Sequence, residues 1–136
     1  MDEYFVGDNE ITLLMQKDEE EIYFKIILND SFEEIGHIIY TYKTSELTGN
    51  LSYFIYEEYR NNGYAKKALY MLVKNIRKLD NKDLYLSIVP SNIASIKVAK
   101  YAGAAYYKPV NIPTNYIFCD DSLYNCANMY KIKNKE

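Results

Sequence analysis

The run Leu51-Ser52-Tyr53-Phe54-Ile55-Tyr56, followed by Glu57-Glu58-Tyr59-Arg60-Asn61-Asn62-Gly63-Tyr64-Ala65, decides the fold. Before the turn, residues 51–56 are apolar and aromatic in the manner of a strand. After it the period changes. Ala65, Ala68, Leu69, Leu72, Val73, Ile76 and Leu79 recur at intervals of three and four. That spacing puts one apolar stripe on a helix of about four turns. Asp80-Asn81-Lys82-Asp83 ends the helix, and residues 84–89 read as another strand. Strand, helix and strand in this order make a crossover unit, which predicts that the two strands run parallel.

Upstream, residues 11–16 form a short apolar run that stops at Lys17-Asp18-Glu19-Glu20. Ile22, Phe24, Ile26 and Leu28 then alternate with Tyr23, Lys25 and Ile27, a period of two that argues a strand. Asn29-Asp30-Ser31 supplies a turn, residues 35–42 a third strand, and Thr48-Gly49-Asn50 the turn before residue 51. Such short connections predict an antiparallel meander. Downstream, Pro90 stops the fifth strand, and Ser91 or Asn92 caps a second helix ending near Ala102 with Gly103 as its C-cap. Residues 104–107 and 127–132 are short strands on either side of a loop at 111–125. The expected fold is α/β (of the α+β kind): a mixed sheet, antiparallel first and then with a parallel β-α-β pair, helices packed on it. Residues 1–136 are expected to form a single domain.

Composition narrows the function classes. The chain of 136 residues is 49% hydrophobic and 26% charged, ordinary for a globular protein. No apolar run approaches the ~20 residues of a membrane span. The opening Met1-Asp2-Glu3 lacks the basic start of a signal peptide, so the expected location is cytoplasmic. With net charge −3 and no basic block beyond Lys66-Lys67 and Lys97/Lys100, neither nucleic acid nor a membrane surface is an expected partner. One histidine, His37, and two cysteines, Cys119 and Cys126, predict no metal centre and two reduced thiols. The 16 tyrosines are read as coding bias rather than as a stacking surface.

The 60–65 turn is the first functional signal. The first turn of a helix carries unbonded N–H groups and a partial positive charge, so directly after a strand it suits a phosphate or pyrophosphate. Gly63 permits an unusual backbone angle, Asn61 and Asn62 tolerate one, Ala65 leaves room, and Arg60 adds charge. Dinucleotide (G-x-G-x-x-G) and P-loop (G-x-x-x-x-G-K-[ST]) signatures are both absent. An ordinary strand-to-helix turn with one glycine fits the same residues.

A second segment, Val89-Pro90-Ser91-Asn92-Ile93-Ala94-Ser95-Ile96 through to Gly103, follows the fifth strand. Taken together, the two stretches resemble the GNAT superfamily of acetyl-CoA-dependent N-acetyltransferases. Arg60, Gly63 and Ala65 match its [Q/R]-x-x-G-x-[G/A] motif; Asn92, Ser95, Ile96 and Gly103 match N-x-x-[S/A]-I and its closing glycine. The form of the second motif is most similar to the Rim-type branch, which acetylates protein N-termini and small amines. The resemblance covers residues 49–107. It implies that backbone around Phe54, Ile55 and Tyr56 pairs with the pantetheine arm. It likewise implies that Arg60, Asn61, Asn62, Gly63, Tyr64 and Ala65 hold the pyrophosphate, and that Asn92 and Ser95 reach the cofactor from the second helix.

Acetyl transfer also requires a neutral amine and a proton for the departing thiolate. Many family members carry a tyrosine seven residues after the motif asparagine, where this chain has Ala99. Tyr101 lies nine residues on, about 180° away at 100° per residue, and is core or surface instead. Ser95, three residues on, stays within ~60° of Asn92 and is the candidate for the thiolate. Glu57 and His37 are the candidate bases, although Glu57 reads equally as a solvated charge and His37 as a structural histidine. Family members place helices between the first two strands to wall the acceptor pocket. Here only residues 17–21 intervene, which leaves that side to be completed by the 108–126 segment or by a partner subunit of a homodimer. The expected function is transfer from acetyl-CoA to an amine acceptor. A catalytically idle acyl-CoA-binding module and a plain interaction domain are the competing classes.

Overall fold

A computed structural model describes residues 2–110 and 127–134. The elements in chain order are β1 (Glu3–Gly7), β2 (Ile11–Lys17), β3 (Glu21–Leu28), β4 (Glu34–Ser45), β5 (Gly49–Ile55), α1 (Tyr64–Asn75), β6 (Leu84–Ile88), α2 (Ile93–Tyr101), β7 (Ala105–Val110) and β8 (Ala127–Ile132). A 3-10 turn, Glu57–Tyr59, joins β5 to the approach of α1, and another, Ile76–Lys78, extends α1. Among the described residues the eight strands form one sheet in the order β1-β2-β3-β4-β5-β6-β8-β7.

The period-two strands pair as the expected meander: β2 with β3 from Ile11↔Leu28 to Lys17↔Ile22, then β3 with β4 and β4 with β5, all antiparallel. Alternation sends Ile22, Phe24, Ile26, Ile38, Tyr40, Leu51 and Ile55 to the inner face. There they pack with Ala68, Leu69 and Leu72 of α1 and Ala99 of α2. The other face of β3, β4 and β5 carries Tyr23, Lys25, His37, Ile39, Phe54 and Tyr56, all partly or fully exposed. Among the described residues no helix covers it.

Two expectations need correction. The parallel pair is not formed: one residue pair, Gly49↔Leu86, joins β5 to β6, and its sense is antiparallel. The reason is Asn50, the one polar side chain buried among the described residues. Its Nδ2 donates to the Asp83 carbonyl at 3.0 Å and its Oδ1 accepts from the Tyr85 N–H at 2.8 Å. A side chain thus takes the place of ladder bonds. Past it the strands share no further pair, while β6 finds its partner in β8 from Leu84↔Ile132 to Ile88↔Asn128. Beyond Gly49↔Leu86 no described residue fills the edges of β5 and β6 that face one another.

The second correction concerns His37, which strict alternation along residues 35–42 puts on one face with both Ile35 and Ile39. The register slips between Ile26 and Ile27, whose partners are Gly36 and Glu34, so Ile35 is an extra residue in β4. The bulge sends Ile35 into the core at 0% exposure and leaves His37 with Ile39 on the outer face.

Tyr40 pins the end of the α1 segment to the sheet. Its phenol donates to Asp80 Oδ2 at 2.6 Å. Burial, together with the adjacent Asp80 carboxylate, holds the phenol above its ordinary range. Burial pushes the Asp80 carboxyl up, but bonds from Tyr40 and from the Asn81 and Lys82 N–H groups outweigh this and lower it. Tyr40→Phe is expected to cost about 1.5 kcal/mol at pH 7. A depressed carboxyl contributes stability above its unfolded value, 3.8, and loses it as pH falls through the lower folded value. The gap between wild type and variant in urea denaturation should therefore narrow below about pH 4.

Candidate active site

Gly63 stands at the N-cap of α1 with φ 78° and ψ 8°, in the left-handed region. Asn61, two residues earlier, has φ 67°. This backbone swings the chain out of the Glu57–Tyr59 turn and aims the first N–H groups of α1 into solvent. No side chain caps them, and no acidic residue lies in the first turn. Instead the first turn carries Lys66 and Lys67, the wrong charge for a helix N-terminus. Lys67 is neutralised by Asp8 and Glu10. Lys66 lies over the Tyr101 ring, 4.2 Å from its centroid. An anion at the turn would meet free amides and Lys66, a cation with no carboxylate partner among the described residues. A Cβ on Gly63 would have nothing within 4 Å, so the approach to those amides is open.

The turn is braced from behind. Asn62 Nδ2 donates to the carbonyls of Tyr59 (3.2 Å) and Arg60 (3.1 Å). Arg60 does not point freely into the turn: its Nε donates to the Ile55 carbonyl at 2.8 Å and its guanidinium lies 4.9 Å from the Phe54 ring centroid. Tyr64 and Ala65 are half-buried at the start of the helix. Of the three residues expected to pair with a pantetheine arm, the Tyr56 N–H is used by the Ile35 carbonyl at 2.9 Å. Alternation then turns the groups of Phe54 toward β4 as well, and those of Ile55 and Tyr53 toward the open side. The Ile55 carbonyl is the one that Arg60 occupies.

Across the opening, Asn92 and Ser95 begin α2. Asn92 Oδ1 accepts from the Ser95 N–H at 3.1 Å, an ordinary N-cap. The Ser95 hydroxyl lies 2.6 Å from the Tyr53 phenol, which also donates to the Ser95 carbonyl at 3.0 Å. Tyr53, from the inner face of β5, thus spans the opening to α2. Burial raises its phenol above the ordinary value, against the opposing bond with Ser95, so it is a protonated donor at neutral pH. Ala99, the position at which many members of the family the sequence resembles carry tyrosine, is fully buried in the core, and Tyr101 is 52% exposed on the surface. In the sequence Tyr53 and Tyr56 are two of many strand tyrosines that could relay protons; the partner that singles out Tyr53, Ser95, lies 42 residues away. The local signal for Tyr53 was its inward position between Leu51 and Ile55.

The candidate bases are separated. Glu57 is exposed in its 3-10 turn, with no side-chain partner among the described residues. His37 is half-buried on the outer sheet face, stacked on Tyr23 at 5.1 Å and Phe54 at 5.9 Å, and its Nδ1 is buried without a partner among the described residues. Cys119 and Cys126 lie outside the described residues, as does most of the 108–126 segment. Among the described residues no group of three or more His, Cys, Asp or Glu side chains could hold a metal ion. Nor is any helix there long and apolar enough to cross a membrane.

A family model described as an acetyltransferase (GNAT) domain matches residues 3–105. Among solved structures, the chain is similar to a GNAT-family acetyltransferase from Bacillus anthracis (23% identity, TM-score 0.63, 84% of this chain and 67% of that one). It is also similar to a ribosomal-protein-S5-alanine acetyltransferase from Vibrio fischeri (18%, TM-score 0.68, 85% and 63%). A third is spermidine N-acetyltransferase from Vibrio cholerae in complex with CoA and spermine (14%, TM-score 0.67, 86% and 68%). The chain spans about two thirds of the length of each. No curated protein sequence matches it.

Proposed function

This chain belongs to the GNAT family of acetyltransferases, and we propose that it moves the acetyl group of acetyl-CoA directly to a primary amine on a small molecule or a protein N-terminus. The observation that carries this reading is the uncapped α1 N-terminus at left-handed Gly63, beside the unpaired edge of β5. The free amides of residues 64–66 suit the CoA pyrophosphate. A groove lined by Lys66, Lys97, Val98, Lys100 and Tyr101 adjoins them. Its three lysines, with no carboxylate among them, suit the remaining phosphate of CoA. The open edge of β5 suits the amide-bearing pantetheine arm, which would displace Arg60 Nε from the Ile55 carbonyl.

In this reading the acetyl carbon is held in the opening between β5 and α2, where fixed placement beside an amine removes several kcal/mol of the barrier. The amine nitrogen attacks the thioester carbon, the C–S bond breaks, and the thiolate takes a proton from the Tyr53 phenol, which Ser95 orients. Steady-state kinetics with acetyl-CoA and an amine test this. Tyr53→Phe should lower kcat and kcat/KM together by about 10- to 100-fold with the KM for acetyl-CoA unchanged. Unchanged kcat in both Tyr53→Phe and Ser95→Ala would remove the pair from the reaction. The second reading, an acyl-CoA-binding module without turnover, is favoured by the buried Ala99 at the family's tyrosine position. It forecasts acetyl-CoA binding in calorimetry without amine-dependent CoA release.

A further inference from the structure

The outer sheet face holds a carboxylate outside the acetyl-transfer machinery described above. Glu34, at the start of β4, is half-buried, and both the Tyr23 phenol (3.1 Å) and the Tyr56 phenol (2.8 Å) donate to its Oε2. Two donors on one oxygen fix the carboxylate plane. Oε1 has no partner among the described residues, and no Lys or Arg there pairs with Glu34. Burial and the Glu34 carboxylate both raise the Tyr23 phenol, and the same carboxylate raises Tyr56, so each remains a donor at neutral pH.

The surroundings are aromatic. His37 stacks between Tyr23 and Phe54 and meets Tyr56 edge-on, at 6.1 Å. Phe54 and Tyr56 touch at 5.9 Å. Aromatic faces beside a fixed carboxylate select a cation over a neutral or anionic group. The patch already holds one, the Arg60 guanidinium over Phe54. The nearby Lys25 is neutralised by Asp2 at 3.2 Å and does not compete for Glu34. Ile39 and Ile27 continue the face with apolar surface for an alkyl chain.

We infer that this cluster is the acceptor site: a primary alkylammonium binds with its charge on Glu34 Oε1 and its chain against Tyr23, His37 and Phe54. The inference rests on the acetyl-transfer reading for its chemistry but not for its binding. Before attack, one ammonium proton passes to the Glu34 carboxylate and on to solvent. The freed lone pair forms the N–C bond, the C–S bond breaks, and the second amine proton replaces the one Tyr53 gives the thiolate. The products are an acetamide, CoA thiol and one released proton. Among the described residues no helix walls the acceptor, and the sheet face supplies the recognition.

His37 is the chain's only histidine, so its ring resonances report on this site alone. Titration of the full chain with n-butylammonium chloride should shift them saturably, and n-butanol, equal in shape but uncharged, should not. Glu34→Gln keeps an oxygen for both phenols and removes the charge. It should raise the n-butylammonium dissociation constant at least about 10-fold, as expected for loss of a charged pair. In turnover with n-butylamine, Glu34→Gln should lower kcat/KM for the amine by about 100-fold and leave the KM for acetyl-CoA and the melting temperature unchanged. Tyr56→Phe, which loosens the carboxylate but keeps its charge, should raise the amine KM severalfold with kcat little altered. No saturable His37 shift, an equal shift with n-butanol, or unchanged amine affinity in Glu34→Gln overturns the assignment. If acetyl-CoA fails to bind while the His37 titration behaves as described, the transfer reading fails and the ammonium site stands.

Discussion

Replacing Gly63 by Val is expected to raise the dissociation constant of acetyl-CoA at least about 10-fold while moving the melting temperature by only a few degrees. A β-branched residue in the left-handed region costs roughly 1–2 kcal/mol, and the chain can relieve this by leaving that region. Gly63 starts α1 from φ 78°, so such a change rotates the amides of residues 64–66 away from their common aim. The effect falls on the ligand because a Cβ there meets no protein atom within 4 Å. What it would meet is a phosphate seated on the turn. Calorimetric titration of the variant with acetyl-CoA and with CoA reads the change directly. Equal affinity in Gly63→Val and wild type would move the phosphate site elsewhere.

Gly49→Val is the opposite kind of change, with its effect on folding. Gly49 has φ 77°, and a Cβ would stand 2.2 Å from the Tyr85 carbonyl oxygen, a distance no real contact reaches. The obstacle is backbone, so no rotamer change relieves it. Gly49↔Leu86 is also the one pair that joins β5 to β6, and the Asn50 bonds to Asp83 and Tyr85 depend on the same approach. Strain at a special backbone angle, a backbone clash and a broken buried polar network each belong among the causes of large mutational losses. Together they should exceed about 4 kcal/mol, enough to unfold a chain of ordinary marginal stability. Circular dichroism and urea denaturation of the purified variant check this, and a cooperative transition within about 1 kcal/mol of wild type contradicts it.

The local patterns account for much of the fold. Period-two alternation in Ile22 to Leu28 and the three-and-four stripe of Ala65 to Ile76 are written in consecutive residues, and both elements stand where those patterns put them. β1 is not legible in that way: Glu-Tyr-Phe-Val-Gly is five residues at the sheet edge, held by its pairing with β2 across an irregularity between Tyr4 and Val6. The bulge at Ile35 is equally hidden, because no residue type between Ile35 and Ile39 marks which one is inserted. In the candidate site, the turn at Gly63 and the cap at Asn92 are local and were readable as types of residue at fixed spacing. The contacts of Tyr53 with Ser95 and of Tyr56 with Glu34 bridge 42 and 22 positions, and only the folded sheet brings them together. Among many tyrosines, nothing in their immediate neighbours distinguishes these two.

The polar ring at the β5–β6 junction links fold and proposed function. Asn50 holds the two strands together at one end, and its side-chain bonds leave the rest of the β5 edge without a ladder partner. An opening made in this way needs no distortion of either strand, and it ends beside the free amides of α1. The same strand presents Tyr53 to α2 on one face and Phe54 and Tyr56 to Glu34 on the other. Cofactor and acceptor would then approach the open edge of β5 from opposite faces of the sheet and meet there.

The most direct test is CoA-thiol release from acetyl-CoA by the full chain, with and without a panel of amines comprising polyamines, amino sugars and peptides with free N-termini, with mass analysis of the amine. The expected result is release that depends on the amine, saturates with it, and accompanies addition of one acetyl group to the amine nitrogen. Tight acetyl-CoA binding with no amine-dependent release across that panel would contradict it.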